Sequence, residues 1–263
     1  MGILNITPDS FYDGGKYKND KDVLLQTETM LKEGATFIDL GAYSSRPGAD
    51  HVPQEEELRR VVPIVELLLK NFPDMVLSID TFRSIVAKEC LERGAALIND
   101  ISAGQLDGDM MTTVAGYHVP YIMMHMRSTP QHMQEHTHYE DLLEDMLFYF
   151  SEKIRAAVAL GIKDIILDPG FGFAKTTEQN YLLLKKLACL HITERPILVG
   201  LSRKSMIYKV LGTTPEKALN GTTALHMTAL ANGAHILRAH DVKEAMECIT
   251  LFEQLGPNSA LRT

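Results

Sequence analysis

Short apolar runs alternate with longer amphipathic stretches along the whole chain. Eight runs stand out: GILNIT (2–7), TFIDLG (36–41), MVLSID (75–80), ALINDI (96–101), YIMMH (121–125), DIILDP (164–169), PILVGLS (196–202) and HILRAH (235–240). Each is brief and rich in Ile, Leu or Val, the pattern of a strand covered on both faces. Between them the period lengthens to that of a helix. In 54–69, Leu58, Val61, Val62, Val65, Leu68 and Leu69 recur at i, i+3, i+4, i+7. Pro63 interrupts that stretch and is expected to kink it or start a new one. In 140–158, Leu143, Leu147, Phe150, Ile154 and Val158 form a second stripe. In 241–252, Asp241 is the expected N-cap, with Val242, Ala245, Met246, Ile249 and Phe252 facing inward. Helices are also expected over 21–33, 83–93 and 178–190, and a less regular one over 103–116.

Eight strands alternating with helices, at about 33 residues per unit, predict an α/β fold of the single (β/α)8 TIM barrel type. No low-complexity segment or Pro/Gly/Ser linker divides the chain, so residues 1–263 are expected to form one domain. A doubly wound sheet is the competing architecture. It usually carries a Gly-rich phosphate turn after its first strand, and GxGxxG is absent here.

Composition narrows the function classes. The 263 residues are 45% hydrophobic and 23% charged, an ordinary globular balance that excludes disordered and collagen-like chains. With 26 basic against 34 acidic residues the net charge is −8, which argues against a general nucleic-acid or anionic-membrane surface but not against a local basic pocket. Cys90, Cys189 and Cys248 are odd in number, far apart and without metal spacing, so a reducing, cytoplasmic setting is expected rather than a disulfide framework. No apolar run approaches the roughly 18–20 residues of a membrane span, and GILNIT is preceded by no basic n-region or cleavage site.

Polar residues fall at the C-terminal end of nearly every expected strand. They are Asn5; Asp39, then Ser45 and Arg46; Asp80; Asn99 and Asp100; His125; Asp168; Ser202, Arg203 and Lys204; and Arg238 and His240. Any single one can be a helix cap. Eight around one rim point to a site, because the loops of a barrel converge at that mouth. Asp80, Asn99 and Asp168 can meet the edge of a flat heterocycle bearing an exocyclic amine, and Lys204 can donate to its carbonyl or ring nitrogen. Of Asn99 and Asp100 only one can face inward. Arg46, Arg203, Arg238 and His240 are cationic residues of an acidic protein, a set suited to an anion such as a phosphate. SRKS (202–205) is expected to open a helix, whose free N–H groups would add to this.

His125, His132, His136 and His138 crowd one segment, HMRSTPQHMQEHTHY (125–139). His132 and His136 have helical metal spacing, but Pro130 and the polar neighbours read as a loop, and no HExxH is present. The thirteen Met residues are mostly expected to fill the core, with those of YIMMHM near the pocket floor.

These motifs converge on one family. MGILNITPDSFYDGG (1–15) closely resembles the first strand and loop of the dihydropteroate synthase family, one of the pterin-binding enzymes. GATFIDLGAYSSRPGA (34–49), SIDT (78–81), INDIS (98–102), MMHMRSTPQHMQ (123–134), DPGFGF (168–173), GLSRKS (200–205), GTTALHMTALANGA (221–234) and RAHDV (238–242) follow in the family's order, almost end to end. The family fold is a (β/α)8 barrel. The resemblance implies a transferase of folate biosynthesis, in which 6-hydroxymethyl-7,8-dihydropterin diphosphate and p-aminobenzoate give 7,8-dihydropteroate and diphosphate with the help of Mg2+. Carried over by position, Asp80, Asn99, Met123, Asp168, Lys204 and Arg238 match the pterin-binding residues. Asn5, Arg238 and His240 match diphosphate ligands, and Asn5 also meets the metal. Ser45, Arg46, Pro47, Phe173 and Ser205 match the p-aminobenzoate region, which is also the sulfonamide target. Asp13, Arg46, Lys204 and Arg238 are implied in catalysis. Family members are commonly homodimers, and loops 8–18 and 43–50 are expected to be mobile without ligand.

Two departures stand out. The second loop reads GAYSSRPG where GGESTRPG is commoner, so Tyr43 replaces an acid and Ser45 a Thr. The family usually carries a short segment before MGILN, so a reduced cap at the bottom of the barrel is expected. Competing readings are a methyltetrahydrofolate:corrinoid methyltransferase, which has no need for SRKS and RAH around a diphosphate, a catalytically silent pterin-binding homologue, and a domain cut from a larger folate-pathway polypeptide.

Overall fold

Among the residues that the computed structural model describes (1–6, 20–43, 52–129 and 133–256), eight strands alternate with α-helices. The order is β1 (Gly2–Asn5), α1 (Asp20–Lys32), β2 (Phe37–Gly41), α2 (Gln54–Asn71), β3 (Val76–Asp80), α3 (Ser84–Leu91), β4 (Leu97–Asp100) and α4 (Met110–Tyr117). It continues with β5 (Tyr121–Met124), α5 (Leu142–Ala159), β6 (Ile165–Asp168), α6 (Thr177–Lys185), β7 (Leu198–Val199), α7 (Ser205–Tyr208), α8 (Leu219–Ala231), β8 (Ile236–Leu237) and α9 (Val242–Gln254). All eight strands lie inside the eight apolar runs.

Strands β1 to β6 form one parallel sheet in sequence order, and β7 pairs with β8. Parallel bridges join the two pieces at both seams, Leu167 to Ile197 and Gly2 to Ala239. At the second seam Ile3 N donates to Ala239 O, and Ala239 N to Met1 O, both at 3.0 Å. The strands thus follow one another around a barrel, as the alternation predicts.

Successive strand residues face opposite sides, and two apolar layers result. The larger lies between strands and helices and includes Leu40, Leu77, Ile79, Ile98 and Leu167 with Val61, Val65, Met146 and Phe150 of the helices. The smaller fills the barrel. Leu97, Ile122 and Leu198 are buried there, with Met1, Phe37, Val76, Ile166 and Ile236 packed against them, so every strand or its N-terminal flank contributes. Each fully buried aliphatic side chain of this kind stabilises the fold by about 1.5–3 kcal/mol. Two residues further along the same faces come Asp39, Ser78, Asn99, Asp168 and Arg238. The polar layer therefore rests directly on an apolar floor.

Some expectations need correction. Pro63 neither ends nor divides α2, which runs on through Asn71. The burial of Val61, Val65 and Leu68 holds the helix across the missing N–H. Val158 is half exposed, and Ala157 takes the buried position on α5. The irregular 103–116 stretch yields only α4, starting at Met110. Helix α8 is absent from the periodicity reading because the apolar residues of LNGTTALHMTALA do not segregate to one face. Asp241 does occupy the N-cap position of α9, but its side chain caps nothing. No described helix is long and apolar enough to cross a membrane.

Candidate active site

Asp39 on β2 is completely buried and is the hub of the polar layer. Ser78 Oγ donates to Asp39 Oδ1 at 2.5 Å, and Asn99 Nδ2 donates to Oδ2 at 2.9 Å. Arg238, just past β8, donates through Nε to the same Oδ2 at 2.6 Å and through Nη2 to Asp80 Oδ2 at 2.7 Å. Burial opposes the Arg238 charge, but the Asp39 and Asp80 carboxylates outweigh it and hold its pKa above the usual range. Burial pushes the Asp80 carboxyl up to about 7, against the pull of Arg238.

The register settles which residue of INDI faces inward. Asn99 pairs across the sheet with Asp80 and points into the barrel. Asp100 points the other way, where it accepts from Ser102 N and Oγ, Gly104 N and Tyr121 OH. Its role is to hold the turn after β4.

Asp168 ends β6 and is 6% exposed. Its Oδ1 accepts from Gly170 N at 2.8 Å. Burial raises its pKa, and the Lys204 charge opposes that. Gly170 has φ +70°, and a Cβ there would fall 2.2 Å from His125 O, so the turn after Asp168 needs glycine. Lys175 closes the same loop from below. Its ammonium donates to Gly170 O and Phe173 O, each at 3.0 Å, and reaches His125 Nδ1 at 3.1 Å. Burial pushes Lys175 down to about 7 and, with Lys175 beside it, His125 well below its usual value. His125 is thus part of this loop anchor.

Lys204 Nζ donates to Phe171 O at 2.5 Å and stands 4.9 Å from the Phe173 ring centroid. Burial lowers its pKa to about 8, with Asp168 opposing. Ser205 follows as the first residue of α7, a helix of four residues. His240 is set by Ser202, whose Oγ accepts from His240 N at 3.2 Å and lies 2.9 Å from Nδ1. At the end of β1, the Oδ1 of Asn5 would lie 3.1 Å from a Cβ placed on Gly41, and Asp80 Oδ2 3.6 Å from it. Two oxygens therefore flank the gap over that bare glycine.

The pterin binding enzyme family matches residues 1–240 of this chain. The dihydropteroate synthase of Escherichia coli (strain K12) is 43% identical over 255 residues, covering 96% of this chain and 90% of that protein. The chain belongs to the dihydropteroate synthase family. Solved members superpose closely. The Yersinia pestis dihydropteroate synthase with a sulfonamide drug complex has a TM-score of 0.93 at 45% identity, over 97% of this chain and 93% of that one. The Xanthomonas albilineans dihydropteroate synthase with 4-aminobenzoic acid has a TM-score of 0.89 at 38% identity, over 97% and 92%.

The residues assigned by resemblance to this family divide into three groups. Asp80, Asn99, Asp168, Lys204 and Arg238 come together at the C-terminal mouth, with Asn5, Phe173, Ser205 and His240 at its rim. Asp13, Ser45, Arg46 and Pro47, and both loops expected to be mobile, fall wholly or largely outside the described residues. Met123 is a correction. It is buried in the outer layer between sheet and helices. Alternation from Ile122 puts Met124 on the inner face, where it packs with Ile101, Met126 and Phe173. Arg203 is also not a ligand for an anion. Its guanidinium grips Asp241 through Nε at 2.8 Å and Nη2 at 2.7 Å, and Nη1 donates to Pro215 O and Glu216 O. That same ion pair is why Asp241 caps nothing. Among the described residues no three His, Cys, Asp or Glu side chains gather as a metal site. The family resemblance did not mark Asp39, Ser78 or Lys175. The signal for Asp39 was present as a carboxylate two residues above an apolar strand position.

Proposed function

We propose that this chain joins 6-hydroxymethyl-7,8-dihydropterin diphosphate to p-aminobenzoate, releasing 7,8-dihydropteroate and diphosphate. The observation that carries the reading is the convergence of Asp80, Asn99, Asp168, Lys204 and Arg238 on one mouth above an apolar floor. A pterin edge offers ring N–H and amino donors beside a carbonyl acceptor. Asp168 accepts from the donors, Lys204 donates to the acceptor, and Asn99, its amide nitrogen held by Asp39, accepts through Oδ1. In a largely desolvated pocket each such match discriminates strongly, because an unmatched group there stays unpaired.

Arg238 borders the pocket and is anchored so that its charge can meet the first phosphate, with His240 beyond it. Phe173 and Ser205 stand on the aminobenzoate side, where Ser205 can donate to the carboxylate. By resemblance to the family, Ser45, Arg46 and Pro47 belong to this side of the proposal, and Asp13 to catalysis. The carbon–oxygen bond of the pterin methylene breaks and its electron pair leaves with the diphosphate. The positive charge spreads into the electron-rich dihydropterin, and the neutral arylamine nitrogen forms the new bond and then loses a proton. The protein positions the partners and neutralises charge, and no covalent enzyme intermediate is needed.

Mg2+ fits as the assisting ion. Asn5 Oδ1, beside the gap over Gly41, is a hard oxygen donor. A cation that keeps most of its waters and binds chiefly through phosphates needs few protein ligands. Bound there it would neutralise the departing diphosphate. The deciding assay is diphosphate release by the purified chain with Mg2+. Release that requires both substrates and matches pteroate formation supports the reading. Release without arylamine, or none with both, contradicts it.

A further inference from the structure

We propose that Asp39 is a positioning residue of the pterin pocket. Through one carboxylate oxygen it fixes both the rotation of the Asn99 amide and the plane of the Arg238 guanidinium. The proposal rests on the pterin reading above.

An asparagine amide can turn over and exchange its oxygen for its nitrogen at little internal cost. Something outside it must decide which is presented to a ligand. Here Asp39 Oδ2 accepts from Asn99 Nδ2 at 2.9 Å. A carboxylate can only accept, so the nitrogen is committed to that side and Oδ1 is left as the acceptor for a ring N–H. The same Oδ2 accepts from Arg238 Nε at 2.6 Å, while Nη2 is held by Asp80 at 2.7 Å. Two anchor points fix a planar guanidinium in rotation as well as position. Ser78 Oγ, on the other oxygen at 2.5 Å, stops the carboxylate from turning. A fully buried carboxylate is costly unless paired and hydrogen-bonded, and Asp39 has three donors from three different strands or strand ends. The pocket's hydrogen-bonding order is thus set one residue back from the ligand.

The test is a double-mutant cycle with Asp39→Asn and Asn99→Ala, read by titration with pterin diphosphate and Mg2+ and by steady-state kinetics. The introduced amide would bring its own N–H donors to this junction and release the Asn99 rotation. The Kd for pterin diphosphate is expected to rise about tenfold, and the KM for p-aminobenzoate to stay within about twofold. In the Asn99→Ala background the same change should shift the pterin Kd by less than about threefold, because the group it acts through is gone. A fall in kcat should persist there, through Arg238. Additive Kd effects, or an Asp39→Asn protein that binds and turns over like the parent, would overturn the proposal. If Asp39→Asn does not fold, Ser78→Ala replaces it, with an expected pterin Kd increase of about threefold at unchanged arylamine KM. An unchanged pterin Kd in that variant also overturns the proposal. A parent protein that fails to bind pterin diphosphate at all would instead refute the functional reading.

Discussion

Arg238 Nε and Asp39 Oδ2 lie 2.6 Å apart across the barrel mouth, although 199 positions separate them in the chain. The guanidinium also reaches Asp80, so one cation ties together two carboxylates from neighbouring strands. A buried pair of this kind adds little stability by itself, because desolvation offsets the attraction. Its value is the fixed direction of a charge at the place where a diphosphate would leave. Lysine cannot span both carboxylates with a planar fork. Arg238→Lys is expected to lower kcat by about a hundredfold while the arylamine KM changes by less than about threefold. Initial-rate kinetics check this, and the reverse ranking would assign Arg238 to the second substrate.

Lys204 offers a pH signature. Burial pushes its pKa from 10.5 down to about 8. The ammonium is present below that value and is lost as pH rises through it. Affinity for pterin diphosphate is therefore expected to fall between about pH 7.5 and 9. Lys204→Arg keeps its charge over the whole range, so its curve should lose that inflection even if binding is weaker throughout. Calorimetric titration of both proteins from pH 6.5 to 9.5 would show it.

The loop after β6 can be tested by adding one methyl group. At Gly170, with φ +70°, a Cβ would collide with His125 O at 2.2 Å. At Gly161, with φ +91°, the same methyl meets nothing within 4 Å. Gly161→Ala thus isolates the backbone strain, about 1 kcal/mol. Gly170→Ala is expected to cost at least about 2 kcal/mol more and to raise the arylamine KM by displacing Phe173. Urea midpoints and kinetics measure the two effects separately.

His226 on α8 takes no part in the site. It is 1% exposed, and neither ring nitrogen has a hydrogen-bond partner among the described residues. Burial pushes its pKa from 6.5 down to about 4, with Asp241 opposing. Between those values the unfolded chain binds a proton that the folded protein does not. Stability must therefore fall as pH drops through the window, by about 3 kcal/mol in total. His226→Leu should remove this part of the acid dependence of the denaturation midpoint. An unchanged slope between pH 6.5 and 4 would show that the folded protein accommodates the proton.

The barrel was legible in the sequence because its strands are uniform apolar runs and each ends in a polar residue. Asp80, Asn99, Asp168, Lys204 and Arg238 could be picked out one by one on that basis. Their connections could not. Asn99 and Asp100 look alike in sequence, and only strand direction separates a pocket group from a turn anchor. The same one-residue alternation moves the pocket methionine from 123 to 124. Arg203 and Arg238 are both cations at strand ends. Arg203 is taken up by Asp241, a partner 38 positions away that no local pattern reveals. Asp39 was visible as a rim carboxylate, but its place as hub depends on three strands meeting.

The most direct test of the account is a crystal structure of the chain with pterin diphosphate and Mg2+. The ring should lie on the apolar floor with its amino edge at Asp168, Asn99 accepting from it, and the diphosphate running toward Arg238, His240 and Asn5. Ligand bound anywhere else, for instance in the cavity of about 100 Å³ at the opposite end of the barrel beside Met1, Phe37 and His235, would contradict it.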